Sequence, residues 1–184
     1  MIELDEQLFL ALNQAFSGPW STQIFSVVTK LGNGLILGAL IIVPMLVFDR
    51  KRLKQHVIPM VLAVAISGGL VNLMKIAVDR ARPAEHFEGT GTEVHVPRGT
   101  PSDRSFPSGH TQTAFGGATY LACVYPAGAA VFLIAALAVG VSRIALGVHF
   151  PLDVVTGAAI GAAFSIAAFL IARRIRLRRE ANRS

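Results

Sequence analysis

A chain of 184 residues is long enough for one domain of ordinary size, but 53% hydrophobic against 15% charged residues, with a mean hydropathy of +0.56, excludes an ordinary soluble protein and points to the membrane. A net charge of +6 would raise nucleic acid as a partner in a soluble chain. Here the cations collect beside apolar runs, at Arg50-Lys51-Arg52-Leu53-Lys54 and from Arg173 to Arg179, as they do on the cytoplasmic flanks of membrane helices, so the bilayer is the expected partner and nucleic acid is not.

The chain opens with Glu3, Asp5 and Glu6 and has no basic region followed by an apolar core, so no removable leader is expected. Leu4, Leu8, Leu12 and Phe16 recur at helical spacing before Gly18-Pro19 breaks the pattern. This predicts an N-terminal amphipathic helix within residues 1–30, lying at the membrane interface. Ile24, Phe25, Val27 and Val28 form a second short stripe, and residues 20–31 read either as a lead-in or as an additional crossing. Apolar runs long enough to cross a bilayer follow at about 31–48, 57–78, 107–125, 127–146 and 153–172. The expected fold is therefore all-α: one polytopic transmembrane helical bundle of five to six spans over 1–184, ending in a basic cytoplasmic tail at 173–184. Gly68-Gly69, Gly116-Gly117, Gly157 and Gly161 let helices approach closely. Cys123, flanked by apolar residues, is a packing residue.

With both basic clusters in the cytoplasm and five spans, residue 1 lies outside and residue 184 inside, and a sixth span would bring residue 1 inside. Either way the polar segment at 79–106 and the turn at about 147–152 share the outer face. The 79–106 segment is too long for a tight helix connection and is the sort of loop that carries function.

Three segments place costly polar groups at the outer ends of these helices. They are Lys75 with Arg82-Pro83; Pro107-Ser108-Gly109-His110; and Ser142-Arg143 with His149 and Asp153. Lys75, Arg82 and Arg143 suit the neutralisation of a phosphoryl group, because guanidinium donors match phosphate oxygens in pairs. Backbone N–H groups of Ser108 and Gly109 at a helix start would point at the same anion. His149 and Asp153 are four apart, so a helix beginning near His149 would put them on one face. The carboxylate would then fix the imidazole tautomer and leave the other nitrogen to attack phosphorus, with His110 protonating the departing oxygen.

The same segments, in this order and spacing, resemble the signature of the type 2 phosphatidic acid phosphatase superfamily, with no departure between residues 75 and 153. The resemblance implies a phosphohistidine mechanism with His149 as nucleophile, Asp153 as its partner and His110 as general acid. It implies Lys75, Arg82, Ser108, Gly109 and Arg143 as phosphate ligands, and no cofactor. The superfamily also contains soluble vanadium haloperoxidases, a branch that five apolar spans argue against.

Plainer readings compete at each position. Lys75 and Arg82 suit snorkelling helix ends, His110 and His149 structural histidines or metal ligands, and Asp153 a helix-terminus carboxylate. With only one carboxylate nearby, the several cations would repel a divalent metal, so no metal site is expected. Arg80, Arg98 and Arg104 read as solvated loop residues, His86 and His95 as solvent-facing, and His56 as interfacial. The reading that unites the segments is a metal-independent lipid phosphatase or diphosphatase of the plasma membrane, with its site on the periplasmic or extracellular face. Undecaprenyl diphosphate, phosphatidylglycerophosphate, phosphatidate and lipid A 1-phosphate all suit such a site. A phosphotransferase of the same family and a non-enzymatic lipid transporter or scaffold are the alternatives. Oligomeric state is not legible.

Overall fold

The computed structural model describes residues 2–97, 99, 101 and 103–182, all-helical apart from turns and loops. Met1 and Ser184, whose sidedness the basic clusters predict, and Arg98 lie outside the described residues. The helices in chain order are α1 (Ile2–Ala15), α2 (Pro19–Val28), α3 (Gly34–Phe48), α4 (Arg50–Val78), α5 (Pro83–His86), α6 (Gly109–Val124), α7 (Ala129–Ala145) and α8 (Pro151–Ala181). Each of the five expected spans coincides with a helix.

Length distinguishes them. Among the described residues three stretches, Arg50–His86, Pro126–Ala145 and Pro151–Ala181, are long and apolar enough to cross a membrane. A fourth candidate is the pair Pro19–Gly32 and Gly34–Phe48, bent by 70°. The bend falls at Asn33, whose extended backbone and side chain, accepting from the N–H groups of Leu35 and Ile36, start α3 afresh. The 16 residues of α6 extend only about 24 Å, but this helix is the centre of the packing and none of its residues is exposed. Its approach to α8 depends on Gly157 and Gly161, where a Cβ would collide with the Ser108 and Gln112 carbonyls.

The N-terminal helix has a second face that the apolar stripe does not mark. Leu4 and Leu8 point outward, whereas Asp5, Phe9 and Asn13, also at helical spacing, are buried against the bundle. Phe9 packs on Phe150 with centroids 5.2 Å apart, and burying such a ring contributes about 1.5–3 kcal/mol. Asn13 donates to the carbonyls of His95, Ile144 and Ala145 and accepts from His95 N–H. His95 is thus half-buried, with Nε2 2.9 Å from Thr22 Oγ1, and is not solvent-facing.

The basic tail is likewise an extension of α8, which stays helical through the arginine cluster to Ala181. Arg176 Nη1 lies 2.8 Å from His56 Nε2, which puts both basic clusters at one end of the bundle. His56 is buried between α4, α6 and α8, more deeply than an interfacial role requires. Arg50, Lys51 and Arg52 open α4, where cations oppose the helix dipole. Their placement follows a demand other than helix stability.

Candidate active site

At the opposite end of the bundle, α7 closes on Gly147, whose φ of +71° needs glycine and which packs against the His95 carbonyl. The turn then presents His149 just before Pro151 starts α8, so His149 and Asp153 meet across a helix N-terminus and not along a helical face as predicted. His149 Nδ1 is 3.3 Å from Asp153 Oδ2. That oxygen also accepts from Phe150 N–H at 2.9 Å and Ser105 Oγ at 2.5 Å. A carboxylate accepts only, so Nδ1 carries the imidazole proton and Nε2 keeps its lone pair. Arg82 Nη1 lies 3.4 Å from that Nε2. Burial drives the His149 imidazole far below its ordinary value, to about 3, against the pull of Asp153 and with the help of Arg82 and Arg143.

The cations converge as the spacing suggested. Asp79, in the left-handed region, ends α4, and the chain delivers Arg82 to the turn that holds His149. Arg82 is 3% exposed and donates to the carbonyls of Val148 and Asp103 at 2.5 and 2.8 Å. Its Nη2 reaches Asp103 Oδ1 at 2.6 Å, while Lys75 Nζ reaches Asp103 Oδ2 at 2.9 Å. One carboxylate thus bridges two of the predicted phosphate ligands. Burial disfavours its charge, but Lys75 and Arg82 outweigh that and hold the Asp103 carboxyl at about 2. Arg143 donates from Nη1 to Thr29 Oγ1 at 2.8 Å, and its Nε is a buried donor without a partner among the described residues. A phosphate oxygen is the kind of group that satisfies such a donor.

Ser108 caps α6, and its own N–H is taken up by the Asp153 carbonyl at 3.0 Å, so it does not face an anion as predicted. The hydroxyl accepts from Thr111 Oγ1 at 2.9 Å and keeps its proton to donate. Gly109 and His110 open the first turn, where N–H groups have no intrahelical acceptor. The His110 imidazole is half-buried within electrostatic reach of Arg143, Arg82 and Lys75. Among the described residues no three His, Cys, Asp or Glu side chains gather into a metal-binding group.

Sequence reasoning missed four participants. Ser105 and Asp103 lie in the loop between α5 and α6, where nothing but proximity to Pro107 marks them. Arg80, read as solvated, is 20% exposed and donates to Asp153 Oδ1 at 2.7 Å and Asp5 Oδ2 at 2.6 Å. Asp5, 6% exposed, was read only as part of an acidic start. Arg104 pairs with Asp79 and Glu85 at the rim and is half-buried, and His86 is exposed beside Glu6.

Residues 56–177 match the model of the PAP2 superfamily. The chain belongs to that superfamily. The PAP2 match includes every motif residue of the site. Over 112 residues the chain is 38% identical to the lipid A 1-phosphatase of Rhizobium johnstonii, covering 60% of this chain and 46% of that one. It is 30% identical over 162 residues to phosphatidylglycerophosphatase B of Bacillus subtilis, covering 78% and 71%. The crystal structure of Aquifex aeolicus LpxE superposes with a TM-score of 0.75 at 34% identity, covering 88% of this chain and 92% of that one. The chain thus spans less than half the length of the Rhizobium relative, and the shared fold covers nearly all of LpxE.

Proposed function

We propose that the protein is an integral-membrane lipid phosphatase that transfers a phosphoryl group from a lipid headgroup to His149 and then to water. The observation that carries this reading is the Asp103 carboxylate held jointly by Lys75 and Arg82, with a second nitrogen of Arg82 3.4 Å from His149 Nε2. Two cations converge on a space that takes a small anion, and an unprotonated nucleophilic nitrogen borders it. In the reaction, a phosphoryl group would displace the Asp103 carboxylate. Lys75, Arg82 and the unpaired Nε of Arg143 would neutralise the charge on its oxygens, joined by the Ser108 hydroxyl and the first N–H groups of α6. His149 Nε2 forms the bond to phosphorus as the bond to the lipid oxygen breaks, and Asp153 stabilises the cationic phosphoimidazole. His110 gives its proton to the lipid oxygen, then takes one from the water that cleaves the phosphohistidine.

The membrane placement is part of the proposal. Five crossings by α3, α4, α6, α7 and α8, the short α6 enclosed by the others, leave both basic clusters at the cytoplasmic end and the site on the outer face. On this orientation α1 lies at the outer interface with Leu4 and Leu8 toward lipid. Outside labelling of single cysteines at positions 90 and 180 should modify only the former, and equal labelling overturns the orientation. The similarity to a lipid A 1-phosphatase and to phosphatidylglycerophosphatase B supports a lipid phosphomonoester as substrate. Purified protein given lipid A 1-phosphate, phosphatidylglycerophosphate, phosphatidate and undecaprenyl diphosphate should release phosphate from at least one of them in EDTA, with inhibition by vanadate. No release from any, or loss on chelation restored by magnesium, defeats the reading.

A further inference from the structure

A buried carboxylate that must accept a proton bond from the nucleophile needs a positive charge of its own, and the phosphate ligands do not supply it. Asp153 is fully buried, and its Oδ2 is occupied by His149, Ser105 and Phe150 N–H. The remaining oxygen, Oδ1, meets Arg80. Lys75 and Arg82 turn instead to Asp103, and Arg143 to Thr29. The Arg80 guanidinium is fixed on three sides: by Asp153, by the ring of Phe150 4.1 Å from its centre, and by Asp5. Asp5 Oδ1 in turn accepts from Leu152 N–H at 2.7 Å, in the first turn of α8. A residue of α1, outside the stretch matched by the PAP2 model, thus grips both the guanidinium and the helix that carries Asp153.

We infer that Asp5 and Arg80 are positioning residues that keep Asp153 ionised and aimed, and so keep the proton of His149 on Nδ1 and off the attacking Nε2. This inference rests on the phosphohistidine reading. Without Arg80 the buried carboxylate gains a proton more readily, since an uncompensated charge in the interior is costly. A protonated Oδ2 donates to Nδ1 instead of accepting from it. The imidazole then holds its proton on Nε2, and the lone pair that attacks phosphorus is gone. The charged groups facing Asp153 are Arg80 and Lys75 from the end of α4, His149 from the turn and, through Arg80, Asp5 from α1. Removing Arg80 therefore moves the acid limb of activity upward in pH.

The test compares Asp5→Asn, Arg80→Gln and Arg80→Lys, each alone and with Asp153→Asn, on a soluble aryl phosphate. Asp5→Asn and Arg80→Gln should lower kcat about ten- to a hundred-fold, as losing an outer partner of a catalytic group does, with KM nearly unchanged. Arg80→Gln should shift the acid limb upward by about one pH unit, and Arg80→Lys should restore part of that shift because it keeps the charge. In the Asp153→Asn background either substitution should add less than about twofold, since the group they act through is gone. Equal losses in both backgrounds, an unmoved acid limb, or a kcat within about twofold of the parent overturns the inference. A thermal-melting cycle on the same proteins separates this from failure of the functional reading. If the parent releases no phosphate from any substrate, that reading falls, whereas additive melting shifts for Arg80→Gln and Asp153→Asn show on their own that the two side chains are not coupled.

Discussion

Two histidines lie buried at opposite ends of one helical packing, and their surroundings are alike in outline. His149 sets Nδ1 against Asp153 and Nε2 toward Arg82; His56 sets Nδ1 3.2 Å from Tyr120 Oη and Nε2 toward Arg176. An arginine only donates, so both imidazoles hold their proton on Nδ1 and offer Nε2. The difference lies in the third group. Tyr120 is a neutral phenol, whereas Asp153 is a carboxylate with its own counter-cation, able to stabilise the positive imidazole that the proposed bond from Nε2 to phosphorus would create. At the His149 end two further cations stand nearby and Arg143 Nε has no partner among the described residues, while the His56 end is closed by stacking on Phe169. A buried histidine beside an arginine is thus a structural device until an anion stands behind it.

The comparison breaks most sharply on substitution of each histidine. His149→Ala should abolish turnover, a loss of about 10⁴-fold or more as for other nucleophile removals, and acid-quenched labelling should find no phosphoenzyme. His56→Ala should leave kcat within a few-fold. A labelled phosphoenzyme in the His149 variant, or a dead His56 variant that is still folded, reverses the assignment.

Asp153→Asn should cost less than loss of the nucleophile, about 10² to 10⁴-fold, because it disturbs the tautomer and charge of His149 without removing the nitrogen. His110→Ala should show a different signature, with about 10² to 10⁴-fold loss on a lipid phosphomonoester whose alkoxide needs a proton. On nitrophenyl phosphate or a diphosphate the loss should be much smaller, with accumulation of phosphohistidine. Equal losses on both substrate types would remove His110 from the general-acid role.

These roles attach to residues that spacing alone brought out, and the limits of that legibility are physical. Lys75, Arg82, His110, Arg143, His149 and Asp153 stand at helix ends, where an apolar run makes each polar residue conspicuous. The five helices could be read for the same reason. The partners that complete the site could not, because each reaches it across the fold. Arg80 meets Asp5 and Asp153 at sequence separations of 75 and 73, and Asp5 meets Leu152 at 147. Arg80 carried one signal, its place two residues before Arg82 at the end of a long apolar helix, where an unpaired charge is costly. At the N-terminus the apolar stripe points to a face turned to the membrane interface, but nothing in the sequence marks Asp5 and Asn13 as the face that docks. Near a polar site the buried side of a helix can carry hydrogen-bonding groups, and apolar periodicity does not mark it.

The acidity of the two ends sharpens the contrast further. Because burial holds His149 at about 3, the nucleophile stays neutral as pH falls from 7 toward 4, and no loss of kcat/KM in that interval should trace to it. A phosphomonoester has its own ionisation near pH 6, so an inflection there should move when the substrate's phosphate acidity is changed. An inflection fixed near 6.5 for all substrates would put an ordinary imidazole in the site. The stability sign is the same: an unfolded histidine takes a proton below about 6.5 that the folded His149 refuses, so its contribution is lost as pH falls from there toward 3. Melting followed from pH 7 to 4 should therefore decline less in His149→Gln than in the parent.

The smallest expected effect lies at the His56 end. Tyr120→Phe removes the acceptor of a buried N–H and leaves His56 Nδ1 unsatisfied, which costs about 1–3 kcal/mol, or a melting shift of roughly 2–4 °C per kcal/mol in a chain of this size. Catalysis should not change. Adding His56→Leu removes the orphaned donor itself, and Arg176, only half-buried at the basic end, can turn to water. The double variant should therefore melt no lower than Tyr120→Phe alone, a non-additivity that only a paired donor and acceptor produce. If Tyr120→Phe slows turnover as Asp153→Asn does, the two ends are coupled and His56 belongs to the catalytic machinery. If the double variant melts lower by the sum of the single effects, the His56–Tyr120 contact is packing without a hydrogen bond, and the likeness between the two histidines stops at their arginines.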